Sequence, residues 1–166
     1  YYSDFGNQAS GKRSARYAFS DAVALRGTVA SGFRAPSLAQ QNYQAVTTNI
    51  NNSVVTETGT FPVTGAAAQA LGAEPLQAET SLSYSLGLVL QPAERVYVTV
   101  DAYQIAIDDR IVLSSNLNIT NNAAAQALLA NLGITGVTAA RYFNNAIDTR
   151  TRGIDVVATW SLPLAA

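Results

Sequence analysis

Asp108, Asp109 and Arg110 are the one place where three charged side chains stand consecutively. Two neighbouring carboxylates could hold calcium or a cationic ligand. They lack the alternating spacing of a calcium loop, so a solvated cluster is the stronger reading. Tyr142, Phe143 and Asn145, with Asn144 between them, form a second group. Aromatic faces stack and amides both donate and accept, which suits a ligand; an aromatic anchor for a chain connection is the preferred reading. Arg34 stands before Ala35 and Pro36. Its five-donor guanidinium fits an anionic ligand or, preferably, pins a strand end through carboxylates or carbonyls. Pro36 has no N–H and restricts Ala35, so it ends regular pairing there. Glu79, Asp101, Asp155, Arg16 and Arg26 fall on polar faces and read as a network that satisfies itself.

No catalytic constellation emerges. The chain has no histidine and no cysteine, which removes zinc-finger sites, thiol chemistry and histidine-based triads. Lys12 is the single lysine, and no phosphate-binding glycine fingerprint occurs. The expectation is a protein that is not an enzyme and uses no cofactor or metal. Net charge is −1, from 10 basic and 11 acidic residues, so no nucleic-acid surface is expected. Asn51-Asn52-Ser53 matches a glycosylation pattern, which carries no information outside a secretory setting of the eukaryotic kind.

The elements that position these residues are strands. In 166 residues, enough for one domain, 48% are apolar but only 13% charged, against roughly 25% charged in a typical soluble domain. No apolar run is long enough for a membrane-spanning helix; a spanning strand, apolar at every second position, is not excluded. Residues 12–19, 23–33, 80–90, 95–107 and 151–162 alternate in character. The clearest is 80–90, with Leu82, Tyr84, Leu86, Leu88 and Leu90 against Ser81, Ser83, Ser85 and Gly87. Within 95–107 the pattern breaks at Gln104, predicting a bulge there or emergence from an apolar layer. YYSDF at the start reads as the end of a sixth strand, and the abrupt ends of the chain read as those of a fragment or a processed product.

Connections alternate short (20–22, 91–94) and long (35–78, about 110–148). The second long one holds NNAAAQALLANLG (121–133), a helix bounded by Asn and Gly with Ala125, Leu128, Leu129 and Leu132 inward; AAAQALG (66–72) predicts a similar one. Strand alternation fits either a soluble sandwich or a membrane barrel. A sandwich would bury strands 80–90 and 152–162 between two sheets. Low charge, the turn–loop asymmetry, and Tyr17, Phe19 and Trp160 near strand ends favour the barrel.

The local wording of four stretches resembles the C-terminal barrel portion of TonB-dependent outer-membrane receptors. They are SGFRAPSLAQ (31–40), AEPLQAETSLSYSLGLVLQP (73–92), VDAYQIAIDDRIVLS (100–114) and RYFNNAIDTRTRGIDVVATW (141–160). Glu79 matches the glutamate of the family's L-x-P-E-x-S pattern, although Gln77 and Ala78 depart from it. The resemblance implies an all-β fold: an antiparallel transmembrane barrel segment of about six strands, with short helices in outer loops at 35–78 and 110–148. It marks Arg34, Pro36 and Glu79 as a structural boundary. It implies outer-membrane lipid, an N-terminal plug and the remaining strands of a barrel of about 22 strands as partners. TonB would act indirectly, through N-terminal parts that these residues do not resemble. The implied activity is uptake of a ferric siderophore or another scarce solute, the ligand itself being unidentified. A passive or secretory barrel and a soluble ligand-binding sandwich are the alternatives.

Overall fold

The computed structural model describes residues 8–51 and 54–162. In chain order these form β1 (Gly11–Ser20), β2 (Val23–Arg34), α1 (Leu38–Asn42), β3 (Ala45–Asn51), β4 (Val54–Thr60), α2 (Ala66–Ala70), β5 (Glu79–Ala93), β6 (Val96–Leu113), β7 (Leu117–Asn118), α3 (Ala123–Asn131), β8 (Ala139–Arg141) and β9 (Phe143–Trp160). They make two open sheets. One has the strand order β1-β2-β5-β6-β9, the other β3-β4-β8-β7. No helix among the described residues is long and apolar enough to cross a membrane, which says nothing of strands.

The larger sheet grows from two tight hairpins. β1 and β2 pair antiparallel from Gly11↔Ser31 to Ser20↔Val23, and the Ala22 N–H donates to Ser20 Oγ across the turn. β5 and β6 pair from Thr80↔Asp108 to Ala93↔Val96. The register is unbroken through Tyr84↔Gln104, so the bulge expected at Gln104 is absent; the irregularity lies between Leu90 and Ala93, beside the turn. Gln104 interrupts the apolar pattern because of a side-chain partner, not a backbone fault.

Strand alternation gives this sheet an apolar face and a serine face. Cross-strand pairs share a face, so Leu82, Tyr84, Leu86 and Leu88 lie with Ala106, Gln104, Ala102 and Val100, while Ser85 and Gly87 lie with Tyr103 and Asp101. On the serine face, Arg26 donates to both carboxylate oxygens of Asp101, at 2.9 and 2.5 Å. Gly87 lies directly below this pair: a Cβ there would come within 2.0 Å of Asp101 Oδ1. Gly153 likewise leaves room for the ring of Tyr103, 2.5 Å from where a Cβ would stand.

Exposure runs opposite to that of a water-soluble sheet. Leu82, Tyr84 and Leu86 are 38%, 44% and 57% exposed, while Ser81, Ser83 and Ser85 between them are half-buried. Ile154, Val156 and Trp160 on β9 are exposed as well. The sandwich alternative, which needs strands 80–90 and 152–162 buried between sheets, is therefore overturned.

The chain divides into two compact units. One comprises residues 1–33, 80–108 and 148–166; the other 34–79 and 109–147. The hydrophobic core belongs to the second. Phe61, Val63, Ala68, Ile119, Leu129, Ala140 and Tyr142 pack in one cluster there. In α3, Asn122 Oδ1 caps the Ala125 N–H at 3.0 Å, and Gly133, at φ +75°, follows the last turn. Ala125 and Leu129 are buried as expected, whereas Leu132 is 47% exposed.

Three expectations change. The long connections are not loops with helical lids alone: they carry α1 and a second sheet. That sheet is not wholly antiparallel, since β4 and β8 run parallel from Thr58↔Ala139 to Thr60↔Arg141. Finally, β6 continues to Leu113 and β9 starts at Phe143, so strand structure extends into the span 110–148. The sixth strand expected at YYSDF lies outside the described residues, and the larger sheet has five strands among those described.

Candidate functional site

The strand ends that lead into the second unit gather most of the singled-out residues. Arg34 is the last residue of β2 and Glu79 the first of β5. Arg34 Nε donates to Glu79 Oε2 at 2.8 Å, and a terminal guanidinium nitrogen donates to Oε1. Oε1 also accepts the Ile111 N–H at 2.8 Å. Glu79 is 5% exposed, while the Arg34 side chain is 58% exposed. A nearly buried carboxylate with three charge-assisted hydrogen bonds is well satisfied. The hydrogen bonds from Arg34 hold the Glu79 carboxyl below its ordinary pKa, against the opposing effect of burial; the Ile111 amide and the charges of Arg34 and Arg110 act in the same direction as the hydrogen bonds. Arg34 is raised in turn, mainly by the hydrogen bond to Glu79.

Pro36 is buried, and its carbonyl accepts from Gln41 Nε2 at 3.2 Å. Ser37 then starts α1 with a capping box: its Oγ accepts the Gln40 N–H, and Gln40 Oε1 accepts the Ser37 N–H. The sequence Arg-Ala-Pro-Ser thus converts a strand into a helix within four residues.

Asn145 is a second knot. Its Nδ2 donates to the carbonyls of Gln77 (3.0 Å) and Asp109 (2.6 Å), and its Oδ1 accepts the Gln77 N–H (2.9 Å). Asp109 has φ 57°, in the left-handed region that aspartate tolerates better than most residues. This twist of the chain follows the last β5–β6 pair, Thr80↔Asp108, and stands two residues before Ile111, whose N–H turns to Glu79.

Tyr142 is in the core, 8% exposed, with its hydroxyl donating to the Leu71 carbonyl at 3.2 Å. Phe143 is half-buried against the same cluster. Asp108, Asp109 and Arg110 are exposed.

The structure therefore brings Arg34 and Glu79 together, and ties Asn145 to Asp109. It puts Tyr142 and Phe143 into packing and leaves Asp108 and Arg110 at the surface. Two participants were not singled out from sequence, Gln77 and Ile111. Both act through backbone groups, which side-chain identity does not reveal. The Gln104–Arg152 pair, at 2.7 Å, was foreshadowed only by the glutamine that broke an apolar alternation.

Solved structures share this fold. The siderophore receptor PirA from Pseudomonas aeruginosa superposes with a TM-score of 0.64 at 18% identity, over 93% of this chain and 25% of that one. The ferric enterobactin receptor PfeA, solved in complex with BCV-L6, gives 0.61 at 18% identity, over 94% and 20%. PirA from Acinetobacter baumannii gives 0.60 at 18%, over 94% and 21%. The present chain spans a quarter or less of the length of these receptors. No curated protein matches it. A family model described as "TonB dependent receptor-like, beta-barrel" matches residues 1–166. The chain belongs to that family of TonB-dependent receptor barrels, which are non-enzymatic proteins of the Gram-negative outer membrane.

Proposed function

We propose that the five-stranded sheet is a section of barrel wall and that residues 34–79 and 109–147 are the outer connections of a TonB-driven receptor. Its cargo would be a ferric siderophore or another scarce solute. The observation that carries the wall assignment is the inverted exposure of β5. Leu82, Tyr84 and Leu86 are bare while the serines between them are half-buried. Lipid solvates that apolar face, and a hydrated interior accepts the serines and the Arg26–Asp101 pair.

In this reading the partners are outer-membrane lipid, the remaining strands, an N-terminal plug, and TonB acting through that plug. Arg34, Pro36, Glu79 and Asn145 hold the outer connections in shape. The Asn145 amide already makes three hydrogen bonds and has little left for a ligand. Tyr142 and Phe143 anchor the packing. Ligand contact falls to exposed side chains, among them Asp108, Asp109 and Arg110.

The siderophore assignment is motivated by PirA and PfeA, which are siderophore and ferric enterobactin receptors. The test is uptake of ferric enterobactin and of other ferric siderophores by iron-limited cells that depend on the complete outer-membrane protein. Accumulation abolished by a protonophore is expected. Accumulation that ignores the protonophore would establish a passive barrel instead.

A further inference from the structure

The two edges of the smaller sheet differ in kind. β7, at one edge, has two residues and is too short to template another chain. β3, at the other, has seven. Edge strands in water are ordinarily blunted by charge, proline or a bulge. Residues 37–56 hold no charged side chain and no proline, and β3 pairs with β4 without a register shift from Ala45↔Thr60 to Asn51↔Val54. On β3, Val46 and Ile50 are 53% and 74% exposed. Such an edge is stable against stray pairing only when something covers it.

The backbone groups that β3 offers follow from β4. The Glu57 carbonyl accepts the Thr138 N–H, so Glu57 turns its backbone toward β8 and away from β3. Its pair with Thr48 is therefore of the non-hydrogen-bonded kind, and Thr48 turns its own N–H and C=O to the free edge. By alternation Val46 and Ile50 do the same, while Thr47 and Asn49 bond to β4. No other described residue takes up the edge groups of Val46, Thr48 and Ile50.

Resting on the placement of residues 34–79 outside the membrane, we propose that β3 pairs edge to edge with β3 of a second copy of this protein, antiparallel about a two-fold axis at Thr48. A two-fold axis needs a self-complementary patch. Val46-Thr47-Thr48-Asn49-Ile50 reads apolar, polar, polar, polar, apolar from either end. About Thr48, Val46 meets Ile50 of the other copy, Thr47 meets Asn49, and Thr48 meets itself. The pairs that exchange hydrogen bonds then fall on the three residues whose groups face the edge, which gives about six bonds across the axis. Val46 and Ile50 form a β-branched pair at each end, on one face. The two Glu57 side chains, opposite Thr48 in each copy, stand three strand spacings apart, roughly 14 Å. That exceeds the screening length of about 8 Å at physiological salt, so they do not oppose the pairing. Five residues a side is few against the roughly 20–30 of a standard interface. The contact is therefore reversible and depends on copies held at high density in one membrane.

The test is disulfide capture in outer membranes that carry the complete protein with one free cysteine. At Thr48 the two Cα atoms stand about 5.5 Å apart, within disulfide range, so Thr48→Cys should give a covalent dimer on oxidation. Val55→Cys is the control, 57% exposed but on the inner strand β4. Thr48→Cys should link about tenfold more than it does. Added to Thr48→Cys, Val46→Lys/Ile50→Lys sets like charges opposite each other and should abolish the link. Val46→Glu/Ile50→Lys sets opposite charges there and should keep it. Equal linking at Thr48→Cys and Val55→Cys, or linking that ignores the like charges, overturns the proposal. No link with rapid exchange of the Thr48 amide leaves the edge bare and overturns it too. No link with a protected Thr48 amide in dilute vesicles assigns the edge to another segment of the same protein and excludes the second copy. A membrane-impermeant maleimide on Val55→Cys separates this from the outer placement. Labelling only after the outer membrane is broken sinks that placement. Labelling on intact cells without a Thr48 link sinks the dimer alone.

Discussion

Removing the Glu79 carboxylate should loosen the start of the second unit by a calculable amount. Glu79→Ala leaves the Ile111 N–H, on a residue 7% exposed, without its acceptor, at a cost of about 1–3 kcal/mol. It also removes the ion pair with Arg34, whose exposure limits that part to roughly 1 kcal/mol. The sum, about 2–4 kcal/mol, corresponds to a loss of hydrogen-exchange protection at Ile111 of roughly 30- to 900-fold. Glu79→Gln keeps an oxygen for Ile111 but loses the charge and the second acceptor for the largely exposed Arg34, so its cost should be about 1 kcal/mol, roughly fivefold in protection. Hydrogen–deuterium exchange resolved to the Ile111 amide, in the membrane-assembled protein, is the assay. Equal protection in the alanine and glutamine variants would refute the reasoning, because the two differ in whether an acceptor remains. The pH dependence has a definite sign. The folded-state pKa lies below the ordinary value of 4.5. The carboxylate's contribution is therefore complete above that pH and is lost as pH falls through the lowered value. Acidification should reduce Ile111 protection in the parent and leave that of Glu79→Gln unchanged.

Leu88→Arg, deeper along the apolar face than Leu86, should destabilise folding into lipid vesicles by about 2–4 kcal/mol, measured by urea titration. Gly87→Ala would set a Cβ 2.0 Å from Asp101 Oδ1 and 2.7 Å from Arg26 Nε; forcing the pair apart should cost about 1–3 kcal/mol, visible in the same titration. Asn145→Ala removes three hydrogen bonds to the backbone of Gln77 and Asp109 and should cost about 2–3 kcal/mol in thermal unfolding.

The five strands of the larger sheet were legible because alternation is a local signal. Leu82 to Leu90 against Ser81 to Gly87 states the strand, its period and its two faces within a dozen residues. The second sheet was not read, although Val- and Thr-rich runs flank Asn51-Asn52-Ser53, which is a hairpin signal. Its decisive bond joins Thr58 to Ala139, in parallel and far apart in sequence, where no turn chemistry announces a partner. The site followed the same division. Pro36 is a terminator by its own covalent structure and was visible at once. The guanidinium of Arg34 advertised a partner without naming it, because Glu79 is 45 residues away. Asn145 groups with an anchor for its connection, with ligand contact as the alternative; its type does not reveal that its hydrogen-bonding capacity is committed to Gln77 and Asp109.

The parallel contact between β4 and β8 has a consequence for engineering. It makes the two long connections one object: the Thr138 N–H donates to the Glu57 carbonyl, the Phe61 N–H to that of Arg141, and Arg141 Nε to Thr60 Oγ1. A chimaera that exchanged only one connection with another receptor would leave a raw strand edge and half a core. Specificity in such a protein should therefore be transplanted, and inherited, as a matched pair of insertions.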